Sequence, residues 1–273
     1  MRSALFKWYR YPAVFALFLI LVRPAVSAEP ELTREQMKHF LLTAKVVASK
    51  QTKKGITNPW RLTLSDGSLT HDAGFQAIDE HKSYMQLSNG DTELNFVDSY
   101  KYNVGGYILA ELLGIENIMP VYVERKWMGN IGSISWWLPV QMDEEERLQK
   151  KISSPNSDVW NAQMYKIRVF DELIYDTDAN LTNILVGQDW KPYRIDLSRA
   201  FRLFNDVKTT KNLDHCDRQL FAKLRALDAK EFAQKTQNFL NKAEQKALLA
   251  RRDKIVAYIE KAIAEKGEKE ILY

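Results

Sequence analysis

Residues 175–187 read YDTDANLTNILVG, and two incompatible patterns overlap in them. Asp176-Thr177-Asp178-Ala179-Asn180 opens like an EF-hand calcium loop. Such a loop needs Gly at its sixth position and a bidentate Glu at its twelfth. Counted from Asp176, those places hold Leu181 and Gly187, which excludes that reading. The second pattern is Asp178, then Asn183, then the apolar run Ile184-Leu185-Val186. A turn at Gly187-Gln188-Asp189 and a second strand ending at Ile195 lead to Asp196, in the run RIDLSRAF, 194–201. Asp and Asn are also ordinary turn residues, so the order of the surrounding elements has to decide.

Upstream, TREQMKHFLLTAKVVA (33–48) opens with a capping box of Thr33 and Gln36 and reads as an amphipathic helix. Residues 61–79 alternate on both sides of Asp66-Gly67, a hairpin signal. HKSYMQLSNGDTELNF reads as a loop with a turn at Asn89-Gly90. SYKYNVGGYILAELLG (99–114) is a helix capped by Ser99 and ended by Gly114; its Gly105-Gly106 pair points to a close approach. MPVYVERKW and GSISWWLPV are strands around Gly129-Asn130. After Val140 the pattern becomes helical: DEEERLQKK, then a stripe of Trp160, Met164, Ile167, Phe170 and Leu173 behind an Asp158 cap, then everything beyond residue 213. The expectation is an α+β fold of two lobes, a helix and sheet-rich part over 29–140 and a helical part over 141–273.

Residues 1–28 have the three parts of a secretory signal peptide. They are a basic start, the apolar run AVFALFLILV, and Val26 and Ala28 at a small-residue cleavage site. This predicts an exported, periplasmic or secreted protein cleaved after Ala28, touching membrane only if the leader is retained. The 273-residue chain carries +4, but four of its basic residues fall in that leader and none of its acids. The remainder is balanced, which argues against a nucleic-acid partner. A single cysteine, Cys216, forms no internal disulfide, so stability rests on the core.

Phosphoryl transfer asks a protein for little covalent chemistry. It needs an Asp to take the acceptor's proton, an Asn shortly after it to hold a divalent ion, and a second Asp beyond the next strand to hold metal on the phosphates. Asp178, Asn183 and Asp196 have those types in that order, with oxygen ligands suited to Mg²⁺ or Mn²⁺. The pair DTDANLTNILV and RIDLSRAF resembles the catalytic and metal segments of the atypical kinase-like families: the HipA-type toxin kinases, the phosphatidylinositol-kinase-related enzymes and the secretory-pathway kinases. The resemblance implies a two-lobed protein-kinase-like fold binding ATP or another nucleotide. It implies Asp178 as the catalytic aspartate and Asn183 and Asp196 as metal ligands. The Arg-His that follows the catalytic Asp in those families is Ala179-Asn180 here. LTLSDGSLTHDAGFQAID, YKYNVGGYILAELLG and MPVYVER look like the N-lobe of bacterial kinase-like proteins.

Two departures stand out. Kinases pair a strand lysine with a helix glutamate to grip the phosphates. Those positions fall on Gln76, in AGFQAID, and Asn103, in YNVGGY. Two neutral amides can hydrogen-bond each other and keep the geometry without the charge. Lys53, Lys54, Lys82 or Lys101 is then the candidate phosphate contact. Lys53-Lys54-Gly55 lies where a phosphate-covering loop belongs, and reads equally as a solvated basic turn. Trp136-Trp137 either line an adenine pocket or belong to the core. Arg199 either orients Asp196 or a phosphate or forms a surface ion pair.

These readings support an exported kinase-like phosphotransferase acting on an unidentified protein or small-molecule hydroxyl. A catalytically inactive kinase-like binding module is the alternative that Gln76 and Asn103 favour. Nucleotidyl transfer on the same fold is a third.

Overall fold

The computed structural model describes residues 32–52, 59–86 and 90–273. The expected signal peptide, Lys53, Lys54 and Gly55, and the turn residue Asn89 lie outside the described residues. Thr33–Tyr273 make one compact unit.

The chain begins with α1 (Arg34–Thr43), whose capping box of Thr33 and Gln36 is formed. The helix stops at Ala44, short of the expected end. Val46 and Val47 are β-branched and prefer an extended backbone, and they enter β1 (Lys45–Gln51). β2 (Trp60–Ser65) and β3 (Thr70–Gln76) form the expected hairpin through Asp66-Gly67. β4 (Asp79–Gln86) and β5 (Thr92–Ser99) pair as a separate two-stranded ribbon, where the sequence reads as a loop. β4 is almost wholly exposed and β5 buries only its last part, at Phe96, Asp98 and Ser99, so no apolar alternation runs along the ribbon to betray it.

β5 runs into α2 (Tyr100–Leu113), capped by Ser99 and closed by Gly114 in the left-handed region, φ 67°. β6 (Tyr122–Trp127) and β7 (Asn130–Trp136) complete a five-stranded antiparallel sheet of order β1-β2-β3-β7-β6. α1 packs on β6 and β7, and Arg125 donates to Leu41 O (2.6 Å) and Ala44 O (2.7 Å), satisfying carbonyls at the helix end.

The second half opens with β8 (Val140–Asp143) and α3 (Glu144–Gln149), capped by Asp143. α4 (Ser157–Ile174) starts from Asn156, two residues before the expected cap, because the Asn156 side chain accepts the N–H groups of Asp158 and Val159. Its buried face carries the expected stripe from Trp160 to Leu173. β9 (Ile184–Gly187) and β10 (Pro192–Arg194) form the expected excursion, joined to β8 in a three-stranded sheet. α5 (Arg218–Ala226), α6 (Ala229–Thr236), α7 (Lys242–Lys266) and α8 (Glu268–Ile271) complete the helical half. Ile271 and Leu272 are buried, so the charged C-terminal stretch folds back onto the body.

α2 connects the halves, packing on β6 and β7 and also on α5 and α6. Its glycines explain how it fits. A Cβ on Gly105 would sit 3.3 Å from Leu240, and one on Gly106 would overlap Leu197 Cδ1. Gly106 therefore lets the segment after Asp196 lie directly against the helix.

Candidate active site

The loop after α4 is built around a buried ion cluster. Arg194 is fully buried at the end of β10. Its Nε donates to Asp171 Oδ1 at 2.9 Å, and its Nη2 pairs with Asp176 Oδ2. Its Nη1 donates to Ile195 O and reaches Asp196 O at 3.3 Å. Burial alone would lower the Arg194 pKa; the charges of Asp171 and Asp176 more than offset it, and the guanidinium stays charged. Burial pushes the Asp176 carboxyl up to about 6, against the pull of Arg194. The other oxygen of Asp176 accepts the Asp178 N–H at 2.8 Å. Asp176, the first residue of the false calcium pattern, thus holds the loop from below.

Above that anchor Asp178 is half-buried. Asn180 Nδ2 donates to its Oδ1 at 3.1 Å. The Asn180 Oδ1 caps a 3₁₀ turn over Leu181–Asn183 by accepting the Asn183 N–H. Asn183 Nδ2 donates to Asp178 O at 3.1 Å. That leaves the amide oxygen of Asn183 as the atom able to ligate a cation. Ile195 N donates to Asn183 O at 2.9 Å, which sets Asp196 beside the same loop. The loop and the Asp196 turn therefore form one hydrogen-bonded unit.

Asp196 has a left-handed backbone, φ 53°. Aspartate tolerates that region better than most residues, and such outliers cluster at functional sites. Its N–H points to the Tyr122 hydroxyl at 3.4 Å. The next residue is held from the other lobe: Leu197 N–H donates to Asn103 Oδ1 at 2.7 Å. Asn103 Nδ2 in turn donates to Gln76 Oε1 at 2.7 Å and Ser133 Oγ at 3.2 Å. The two amides expected at the strand and helix positions do bond each other. A chain of contacts thus runs from β3 through α2 to the Asp196 turn and on to Asn183 and Asp178.

The other candidates are placed as follows. Lys82 pairs with Glu80 and Lys101 with Asp79, both at 2.7 Å. Trp136 stacks on His71 at 3.7 Å between centroids and meets Phe40 edge-on, which makes it part of the packing of the sheet. The Arg61 guanidinium lies 4.5 Å from the Trp137 ring. Arg199 takes the ion-pair alternative, with Glu93 of β5 as partner; Arg202 pairs with the same carboxylate. Burial pushes the Cys216 thiol up to about 12, so it is no nucleophile at neutral pH. The sequence reading gave no role to the buried cluster of Asp171, Asp176 and Arg194, which are joined across 18 to 23 residues of chain, beyond the reach of periodicity.

Asp196 carboxylate and Asn183 amide oxygens suit a hard divalent cation. Among the described residues no three His, Cys, Asp or Glu side chains converge as a metal cage. Beside the loop opens a groove of about 670 Å³, lined among others by Arg147, Trp160, Arg168, Ala179, Leu181 and Lys208. No helix among the described residues is long and apolar enough to cross a membrane.

No protein-family model matches the chain, and no curated protein matches it in sequence. Solved structures do. A Fam20 protein of hydra, determined with sugar, superposes with a TM-score of 0.60 at 14% identity over 88% of this chain and 91% of its own. The Golgi casein kinase gives 0.61 at 13% identity over 88% and 78%. The proinflammatory kinase CtkA of Helicobacter pylori gives 0.53 at 10% identity over 82% and 98%. The chain therefore has the two-lobed α+β fold of the atypical kinase-like proteins.

Proposed function

We propose that this protein is a phosphotransferase that binds a nucleotide with Mg²⁺ or Mn²⁺ between its lobes and phosphorylates a hydroxyl. The observation that carries the reading is the hydrogen-bonded unit joining Asp178, Asn183 and Asp196, tied to the N-lobe through Asn103 and Gln76. A loop with no chemistry has no need of that coupling across lobes.

In this reading Asp178 orients the acceptor hydroxyl and takes its proton as the acceptor oxygen bonds to the γ-phosphorus. The bond from that phosphorus to the β-phosphate oxygen breaks, and the diphosphate leaves with its electron pair. Asn183 and Asp196 would hold the cation, which supplies neutralisation of phosphate charge when bound. Arg194 keeps the backbone of both segments in register. The groove beside Ala179 and Leu181 is the place for the acceptor, a protein or a small molecule. Lys53, Lys54 and Gly55 remain candidates to cover the phosphates, since Gln76 and Asn103 bring no charge to them. With the leader-like start of the sequence, we place the activity outside the cytoplasm.

The neutral Gln76–Asn103 pair favours a second reading, an inactive kinase-like module that still binds a ligand. Incubation with γ-labelled ATP or GTP and Mn²⁺, with the protein itself and candidate protein and sugar acceptors, decides between them. Label transfer that falls at least about a hundredfold in Asp178→Asn supports the enzyme. Nucleotide binding without transfer or hydrolysis supports the module.

A further inference from the structure

Asp98 is the next-to-last residue of β5 and is only 9% exposed. Its Oδ1 has no hydrogen-bond partner among the described residues. The rest of the carboxylate accepts from the Ser198 hydroxyl. The strand end is clamped there, because Ser99 N–H donates to Ser198 O at 2.8 Å. Asp98 is thereby held beside the Asp196 turn, close enough for the Asp196 charge to act on it. Glu80, across the ribbon, adds negative charge as well.

The cation facing Asp98 is Arg199. Its Nη2 is joined to Glu93, and its guanidinium lies 5.0 Å from the Phe96 ring. Arg199 Nε also lacks a partner, so an Asp98–Arg199 bond made by a small shift is the competing account. Protonating Asp98 does not settle its bonding, because an O–H at Oδ1 would need an acceptor there. A buried carboxylate oxygen that is left bare beside a second carboxylate is a costly arrangement. A divalent cation removes the cost by bonding the bare oxygen and neutralising both charges.

We propose that Asp98 is a second carboxylate ligand, with Asp196, of a divalent cation. The inference rests on the metal-binding reading of Asp196 given above. It places one protein ligand on the N-lobe ribbon and the others on the Asp196 turn and Asn183, so the bound ion bridges the two halves. Two carboxylates and one amide, with the remaining positions for phosphate and water, match Mg²⁺ or Mn²⁺.

The test uses the full chain and Mn²⁺, with the free ion counted by its electron paramagnetic resonance signal, with and without ADP. Thermal midpoints are taken in chelator and in Mn²⁺. Variants are Asp98→Asn, which keeps an acceptor for Ser198, and Asp196→Asn. The inference expects Mn²⁺ affinity to fall about tenfold or more in each variant. It also expects Asp98→Asn to raise the metal-free midpoint, by removing a buried charge, while losing the rise that Mn²⁺ gives the wild type. Mn²⁺ affinity within about twofold of wild type in Asp98→Asn, but lost in Asp196→Asn, overturns the inference and leaves the phosphotransferase reading standing. A lower metal-free midpoint in Asp98→Asn assigns Asp98 to Arg199 and also overturns it. No Mn²⁺ binding by folded wild type, with or without ADP, overturns it as well. Mn²⁺ held through Asp98 and Asp196 in protein that binds no nucleotide supports the inference and defeats the phosphotransferase reading alone.

Discussion

Asn103 Nδ2 donates to Gln76 Oε1 at 2.7 Å while Asn103 Oδ1 accepts the Leu197 N–H, also at 2.7 Å. One side chain, 1% exposed, therefore fixes the strand β3 and the Asp196 turn to the helix between them. A lysine–glutamate pair at these positions would add charge. The amide pair keeps the connection without the desolvation cost of two buried ions.

Asn103→Ala removes these two bonds and the one to Ser133 Oγ, and leaves the Leu197 N–H without its acceptor. Urea denaturation is expected to show a loss of about 1–3 kcal/mol, the penalty for stranding buried polar groups. A loss below about 0.5 kcal/mol, the level of an ordinary surface change, would show that Asn103 does not couple the lobes.

Gly105 and Gly106 give a paired test on adjacent residues. In Gly106→Ala the new methyl overlaps Leu197 Cδ1, and Leu197 follows Asp196. Overpacking of this kind costs about 1–3 kcal/mol, and metal-dependent nucleotide binding should weaken with it. In Gly105→Ala the methyl meets Leu240 at 3.3 Å. There the roughly 1 kcal/mol helix-propensity gain of Ala over Gly offsets the contact. Chemical denaturation of both variants should separate them clearly.

Arg194→Met keeps the volume but leaves Asp171 and Asp176 buried without their cation. Breaking a buried pair on one side costs about 3–5 kcal/mol. Adding Asp176→Asn, which keeps an acceptor for the Asp178 N–H, should recover part of that loss. Independent, additive effects in the double variant would contradict the cluster.

Asp79 carries a pH prediction. Burial would raise its pKa, but the hydrogen bonds of Lys101 and Ser99 and the charge of Lys101 outweigh it, and the folded pKa lies below the usual value of 3.8. The stability it contributes is therefore present above about pH 4 and is lost as pH falls through the folded pKa. For a pair this exposed the contribution is below about 1 kcal/mol. The stability difference between wild type and Asp79→Asn, measured from pH 6 to pH 3, should shrink toward the acid end.

Much of the fold was legible because its signals are local. The Thr33–Gln36 capping box, Asp66-Gly67, the α4 stripe and the two ends of α2 each lie within a few residues. Spacing and element order made legible that Asp178, Asn183 and Asp196 share one hydrogen-bonded unit and that the amides Gln76 and Asn103 pair. The β4–β5 ribbon was not. Its exposed faces, with Glu80, Lys82 and Tyr84 on one strand, bury too little to leave a period of two. The helix over 33–48 was read too long because its apolar positions continue into β1. Arg194 looked like one more basic residue, since its role depends on carboxylates that only the folded chain brings to it. Asp98 gave no signal for the same reason.

The central claim is that Asp196 holds a metal–nucleotide complex between the lobes. The most direct measurement is the thermal midpoint of the protein without residues 1–28, with ATP, GTP or ADP, with and without Mg²⁺ or Mn²⁺, in wild type and Asp196→Asn. A ligand that binds only the folded state stabilises it by mass action, by about 2.7 kcal/mol at a hundred times its Kd, and so raises the midpoint. The account predicts a rise with at least one nucleotide that requires the metal and disappears in Asp196→Asn. A folded wild type whose midpoint no nucleotide shifts, or whose shift survives Asp196→Asn unchanged, would contradict it.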